Sequence, residues 1–332
     1  MTKPHALLRA GYPFYATLGM RRVTTYPTDI VVGNDRDIYT LNRTDGEGGQ
    51  IRRTNWDDDD LGDIGSGFIW PVQMIAGPDD SLVVSDEGNH TISFWTKDGT
   101  KINSWGEHGS GDGELDRPSG ISFDSDGNLL VVDTMNHRVQ KFSATGTFLS
   151  TFGEFGDGDG QFNMPWGVGL DPDDGAIFIS DWRNDRIQKF SSDGEYISQF
   201  GTSGEGRGEL NRPAGVTLDE HGDIYVADRG NHRIQLFNAV GIFVDVFYGD
   251  AGLSKSGRTY ILANPKVLRS RESTDLVDVK RLRGPMSMRI YGDLMYIPDF
   301  GCHRIQVYRK EAYELTADEI YPEPNAPSLY TV

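Results

Sequence analysis

Along most of the chain, apolar and polar residues alternate with a period of two in short runs closed by Gly, Asp and Asn. One set is clear: 215–218, 224–227, 233–237 and 243–247, separated by turn residues such as Asp219-Glu220-His221-Gly222 and Asn238-Ala239-Val240-Gly241. That period predicts short antiparallel strands, not helices. Four such strands cannot bury both faces of their own sheet. Repeating the sheet radially buries each one against its neighbours and leaves only short edges.

The set recurs. Five stretches share one pattern: 83–95 (VVSDEGNHTISFW), 130–142 (LVVDTMNHRVQKF), 178–190 (FISDWRNDRIQKF), 225–237 (YVADRGNHRIQLF) and 296–308 (YIPDFGCHRIQVY), with a degenerate sixth at 38–53. Each follows a proline that opens an alternating run: Pro27, Pro71, Pro118, Pro165, Pro213 and Pro285. The intervals are 44, 47, 47, 48 and 72, so the last is one repeat plus an insertion of roughly 25 residues.

The Asp-x-x-Asn-His-Arg-Ile-Gln core resembles the NHL repeat, over about residues 12 to 312. The resemblance implies an all-β, six-bladed β-propeller, and six prolines agree with six blades. The last repeat lacks a clear fourth strand. Phe14-Tyr15-Ala16-Thr17-Leu18-Gly19 resembles the fourth-strand run Phe148-Leu149-Ser150-Thr151-Phe152-Gly153, so the N-terminal strand is expected to complete the last blade. The expected organisation is one propeller over 1–312, with an insertion at 250–283 and an extended tail at 313–332 containing Pro322, Pro324 and Pro327.

Composition narrows the partners. With 32 Lys and Arg against 50 Asp and Glu, the net charge is −18, which repels phosphate backbones and argues against nucleic acid. The single Cys302 forms no intrachain disulfide. No apolar run reaches the roughly 18 residues of a membrane span, and no leader pattern is evident, so no membrane partner and a cytoplasmic location are expected.

His90, His137, His232 and His303 share one repeat phase, taken by Asp185 in the fourth blade. Recurrence in most blades marks them as scaffold. Asp133, Asp181, Asp228 and Asp299 lie five residues before Arg138, Arg186, Arg233 and Arg304, and read as surface loop braces of small individual worth. The Gly-rich runs 109–113 and 156–160 read as inter-blade loops, and Asp57-Asp58-Asp59-Asp60 as a solvated acidic loop.

Positions that vary from blade to blade are where individual function can reside. Residues just after the opening prolines include Asp29, Gln73, Trp166 and Met286. Residues after the second-strand aspartate include Arg43, Glu87, Met135, Trp182, Arg183, Arg229 and Phe300. Both sets are expected around one channel mouth, an apolar wall with polar anchors. His108 lies in an inter-blade loop that could face it. The insertion carries eight basic residues against four acidic, and is expected to emerge on the same face as a lid, a subunit contact or a solvated loop.

Among NHL propellers, the chain is similar to the group of peptidyl-α-hydroxyglycine α-amidating lyase. The positions matching that group's zinc histidines are Val72, Trp166 and Met286, which cannot ligate zinc in that manner. Arg43 matches a catalytic arginine, and Arg229 and Arg183 resemble a second. The expected function is a small-molecule enzyme of lyase or hydrolase type acting on an anionic substrate at the channel mouth, beneath 250–283 as a lid. Arg43, Asp29, Glu87 and His108 are the candidate catalytic groups. Arg183, Arg229, Trp166, Trp182, Gln73, Met135, Met286 and Phe300 are expected to bind substrate. No cofactor is expected; a structural divalent cation in the channel and a homo-oligomer are left open. The alternative is a non-enzymatic interaction platform.

Overall fold

Each alternating run is a strand. In the computed structural model, which describes residues 8–19, 23–33, 37–46, 48–273 and 276–314, the strands form six four-stranded antiparallel sheets. The fourth blade shows the plan: Pro165–Leu170 is innermost, then Ile177–Asp181, Arg186–Phe190 and Tyr196–Phe200 outermost. The apolar sets of adjacent blades interlock. Val83, Ile92 and Phe94 of the second blade pack against Ile121, Leu129, Val131 and Phe142 of the third. Truncating a fully buried Phe such as Phe142 costs about 3–5 kcal/mol. Among the described residues, no helix is long and apolar enough to cross a membrane.

The ring closes as expected. Phe14–Leu18 pairs antiparallel with Arg304–Arg309 and is the outer strand of the sixth blade. A further ribbon pairs Leu8–Gly11 with Glu311–Glu314. The tail expected from residue 313 therefore starts inside a strand; residues 315–332, with its three prolines, lie outside the described residues.

The repeated aspartates are buried, not surface braces. Asp228 accepts from Arg233 Nε at 2.7 Å, Asn231 Nδ2 at 2.9 Å, Gln235 Nε2 at 3.0 Å and the Asn211 amide at 2.8 Å. Asp133 and Asp181 do the same in their blades. The repeated histidines also have a defined duty. His90, His137, His232 and His303 accept through Nδ1 from the amide of the residue before the next blade's proline, at 3.0–3.1 Å; Asp185 Oδ1 does so at 2.7 Å. These bonds secure residues that sit at positive φ: Tyr26, Arg117, Met164, Arg212 and Gly284. A non-glycine side chain held there is strained, so the bond fixes its direction.

Two close approaches explain the ring's proportions. A Cβ on Gly167 would lie 2.3 Å from the Ala214 carbonyl oxygen, so the inner strands meet backbone to backbone. A Cβ on Gly194 would meet the Phe152 ring at 2.6 Å: the turn between a blade's outer strands lies on the outer strand of the preceding blade. The acidic run 57–60 occupies that turn in the first blade. It holds the chain instead of being merely solvated: Asp58 accepts from the amides of Gly19 and Ser256, and Asp57 pairs with Lys255.

Candidate functional site at the channel mouth

The insertion is helical. It folds into α1 (Lys255–Leu262), α2 (Pro265–Glu272) and α3 (Val277–Lys280). Its stem bonds Ala251 N to Lys280 O, in the place where other blades carry a Gly-rich loop above their third strand. That place is two strands out from the channel. The recorded contacts of the stem and α1 are accordingly peripheral: Thr17 Oγ1 to Gly252 O, the Asp250 amide to Tyr308 and Gln306, and Lys255 and Ser256 to the acidic turn.

The mouth itself is built from pairs. At four of the six junctions the residue before a proline meets the first loop residue of the preceding blade. Tyr26 packs on Phe300 with ring centroids 5.2 Å apart. The Arg43 guanidinium lies 5.5 Å from the Trp70 ring centroid. Arg117 Nη2 lies 3.7 Å from Glu87 Oε2. Arg212 lies 5.5 Å over Trp182, which also carries Arg183 at 5.7 Å and tilts against Trp166 at 5.4 Å. Arg117 also covers Trp70, at 5.4 Å.

Charge links these pairs across the ring. Glu87 is almost fully buried, and desolvation raises its carboxyl above the ordinary range against the pull of Arg43, Arg117 and Arg229. Burial lowers the Arg43 guanidinium; Glu87 opposes this, and repulsion from Arg229 and Arg117 adds to it. Burial and repulsion from Arg212 lower Arg229. Arg43 Nε donates to the Pro71 carbonyl at 2.8 Å, but its Nη2 and the Nε of Arg229 are buried with no acceptor. Such donors cost about 1–3 kcal/mol each while unmet. Three guanidiniums (Arg43, Arg117 and Arg229) thus act on buried Glu87, and two more (Arg183 and Arg212) lie over Trp182, on a chain of net charge −18.

The other expected site residues divide. Asp29 is fully buried in the channel wall, where Arg289, Ser287 Oγ and the amides of Ile30 and Met74 occupy both its oxygens. It has no role left in proton transfer, nor as a carboxylate for a channel cation. Gln73 is buried and ties the second blade to the third by accepting from the Ile121 amide. Met286 is buried, its carbonyl accepting from Gly215 N at 2.9 Å. Met135 sits half-buried in its loop, its amide bonded to Asp116 O. His108 is mostly exposed, stacked on His90 at 4.3 Å with Asp116 at 3.6 Å. His90, His108 and Asp116 are the metal-ligand types that gather among the described residues. His90 Nδ1 already accepts the Arg117 amide, which puts the proton of a neutral ring on Nε2 and leaves no lone pair for an ion.

Trp70, Arg117 and Arg212 belong to the mouth as well, although they precede the opening prolines and so fall outside both sets read from the sequence. The same criterion finds them, because that phase reads Tyr26, Trp70, Arg117, Met164, Arg212 and Gly284.

The molecule is a six-bladed β-propeller carrying NHL repeats; residues 115–142, 162–190 and 210–237 match the NHL repeat model. Similar solved structures include a catalytically inactive virginiamycin B lyase from Staphylococcus aureus with quinupristin, at 14% identity over 94% of this chain and 90% of that one, TM-score 0.55. A Bacteroides thetaiotaomicron protein of unknown function is 18% identical over 92% of this chain and 76% of its own, TM-score 0.65. A streptogramin B lyase is 11% identical over 95% and 89%, TM-score 0.54. At these identities the likeness is one of fold. No curated protein matches the chain by sequence.

Proposed function

We propose that the chain is a small-molecule enzyme of lyase or hydrolase type, acting on an anionic substrate at the channel mouth. The observation that carries this is the convergence of Arg43, Arg117 and Arg229 on buried Glu87, with guanidinium donors left unmet. Arg43 Nη2 and Arg229 Nε donate to the anion or to a developing oxyanion. Glu87, held above the ordinary carboxyl range, exchanges the proton. Trp166 and Trp182 form the apolar wall, and Arg183 stacks on Trp182. The resemblance of Arg43 to the catalytic arginine of the amidating lyases supports the reading, as does the fold shared with virginiamycin B lyase.

The test is a thermal-shift screen of small organic acids on wild type and Arg43→Ala, followed by product analysis with Glu87→Gln. Acids should raise the melting temperature of wild type more than that of Arg43→Ala, and turnover should vanish in Glu87→Gln. Absence of any stabilising acid would sink the proposal.

A second reading, an interaction platform or subunit contact, draws on the insertion. Its helices leave Tyr260, Leu262 and Val277 exposed beside a groove of about 430 Å³ lined by Ile261, Val267, Leu276 and Val279. Sedimentation of the intact chain across a concentration series tests self-association.

A further inference from the structure

The six junctions repeat one position in the fold, five of them with the same backbone device, so each serves as a control for the others. At four of them a recorded side-chain contact joins the pre-proline residue to the loop residue: Tyr26 with Phe300, Trp70 with Arg43, Arg117 with Glu87, and Arg212 with Trp182. At the junction of the fifth and sixth blades the loop residue is Arg229 and the pre-proline residue is Gly284. Gly284 keeps the device's backbone: its φ is 62° and its amide donates to His232 Nδ1 at 3.0 Å. What it lacks is the side chain. A Cβ there meets nothing within 4 Å, and Arg229 Nε is buried without an acceptor. Its neighbour along the ring, Arg212, repels it, and the opposing charge that acts on it is Glu87.

We propose that the open space over Gly284 is the seat of the substrate's anionic group, and that the substrate is an aryl carboxylate. The inference rests on the mouth being an anion-binding site and says where and of what kind. The copies supply the chemistry. Where a guanidinium meets a charged partner at a junction, that partner is a carboxylate, as in Arg117 and Glu87; where it meets a neutral one, that partner is a flat ring, as in Arg43 and Trp70. Arg229 has neither, and a carboxylate over Gly284 supplies the first to both Arg229 and Arg212. Arg212 in turn lies over Trp182, which leans on Trp166, so a flat body attached to that carboxylate continues onto an indole wall. Gly284 and Arg212 are then specificity-determining positions.

The test fills the seat from within. Gly284→Glu places a carboxylate where the substrate's would go, on a backbone that carries Arg117 and Arg212 at equivalent junctions. Binding of benzoate, phenylacetate, acetate and inorganic phosphate is measured by tryptophan fluorescence and thermal shift on wild type, Gly284→Glu, Gly284→Ala and Arg229→Met. The aryl carboxylates should bind wild type about tenfold more tightly than acetate. Gly284→Glu and Arg229→Met should each lose about tenfold or more, Gly284→Glu without loss of melting temperature, and Gly284→Ala should stay within about twofold. A folded Gly284→Glu that binds aryl carboxylates like wild type overturns the proposal. If Gly284→Glu does not fold, undiminished binding by Arg229→Met overturns it instead. Acetate or phosphate binding as tightly as benzoate removes the aryl class while leaving an anion site in the mouth. Failure of every acid on wild type removes both.

Discussion

Arg229 and Arg233 stand four residues apart and do opposite work. Arg233 is buried against Asp228 and donates through Nε, Nη1 and Nη2 to that carboxylate and to the carbonyls of Glu205, Gly206 and Glu209. Arg229 lies near Arg212, and its Nε meets no acceptor. The fold saturates the first and leaves the second wanting. A saturated and an unsaturated arginine therefore stand side by side, Arg229 in the loop and Arg233 at the start of the strand that follows it, and charge alone does not tell them apart.

The most severe way to break that comparison is to remove the anchor. Asp228→Ala leaves Arg233 buried without its counter-charge and should cost about 3–5 kcal/mol in urea unfolding; a loss under about 1 kcal/mol would reduce these networks to ordinary surface pairs. Next, the two arginines can be exchanged for Met in parallel. Arg233→Met strands buried Asp228 and should cost about 2–4 kcal/mol. Arg229→Met relieves repulsion and should stay within about 1 kcal/mol of wild type in either direction. Equal losses would erase the distinction.

Glu87 sharpens it through pH. Its folded carboxyl is raised above the ordinary 4.5 by burial. The stability linked to this group is therefore fully present below that value and is lost as pH rises through the higher folded one. Glu87→Gln should match wild type near pH 4 and gain on it by neutrality. A melting-temperature difference that is flat across that range would contradict the burial effect. The smallest expected change is a loop swap. Replacing 252–279 with a Gly-rich loop like 156–160 should alter acid binding by less than about twofold, since the helices are fastened at the circumference.

Blade number, strand order and ring closure were legible because period-two alternation and proline spacing are local signals repeated six times. The variable loop phase was legible too, and it gave Arg43, Glu87, Arg183, Arg229 and Trp182. What the sequence hid was set by twist and by pairing across junctions. Asp29 stands at a rim position but meets Arg289 from a neighbouring blade, a residue no repeat phase singles out. The three helices of the insertion are likewise invisible to a period-two reading. Trp70, Arg117 and Arg212 fall outside that phase because a residue before proline ordinarily lies extended; here His90 Nδ1 holds the Arg117 amide and Asp185 that of Arg212, both at positive φ, while Asp86 holds that of Trp70.

The pairing of Phe14 with Tyr308 has a consequence for how the chain is made. The first strand of the propeller to leave the ribosome must wait for the last repeat before it has a partner. Loop-closure entropy of that size grows only logarithmically, so the delay is one of synthesis more than of thermodynamics. Through that interval the five earlier sheets stand as an open arc with two raw edges, and a stall or nick within the last repeat would leave them so, ready to join a second arc instead of their own beginning.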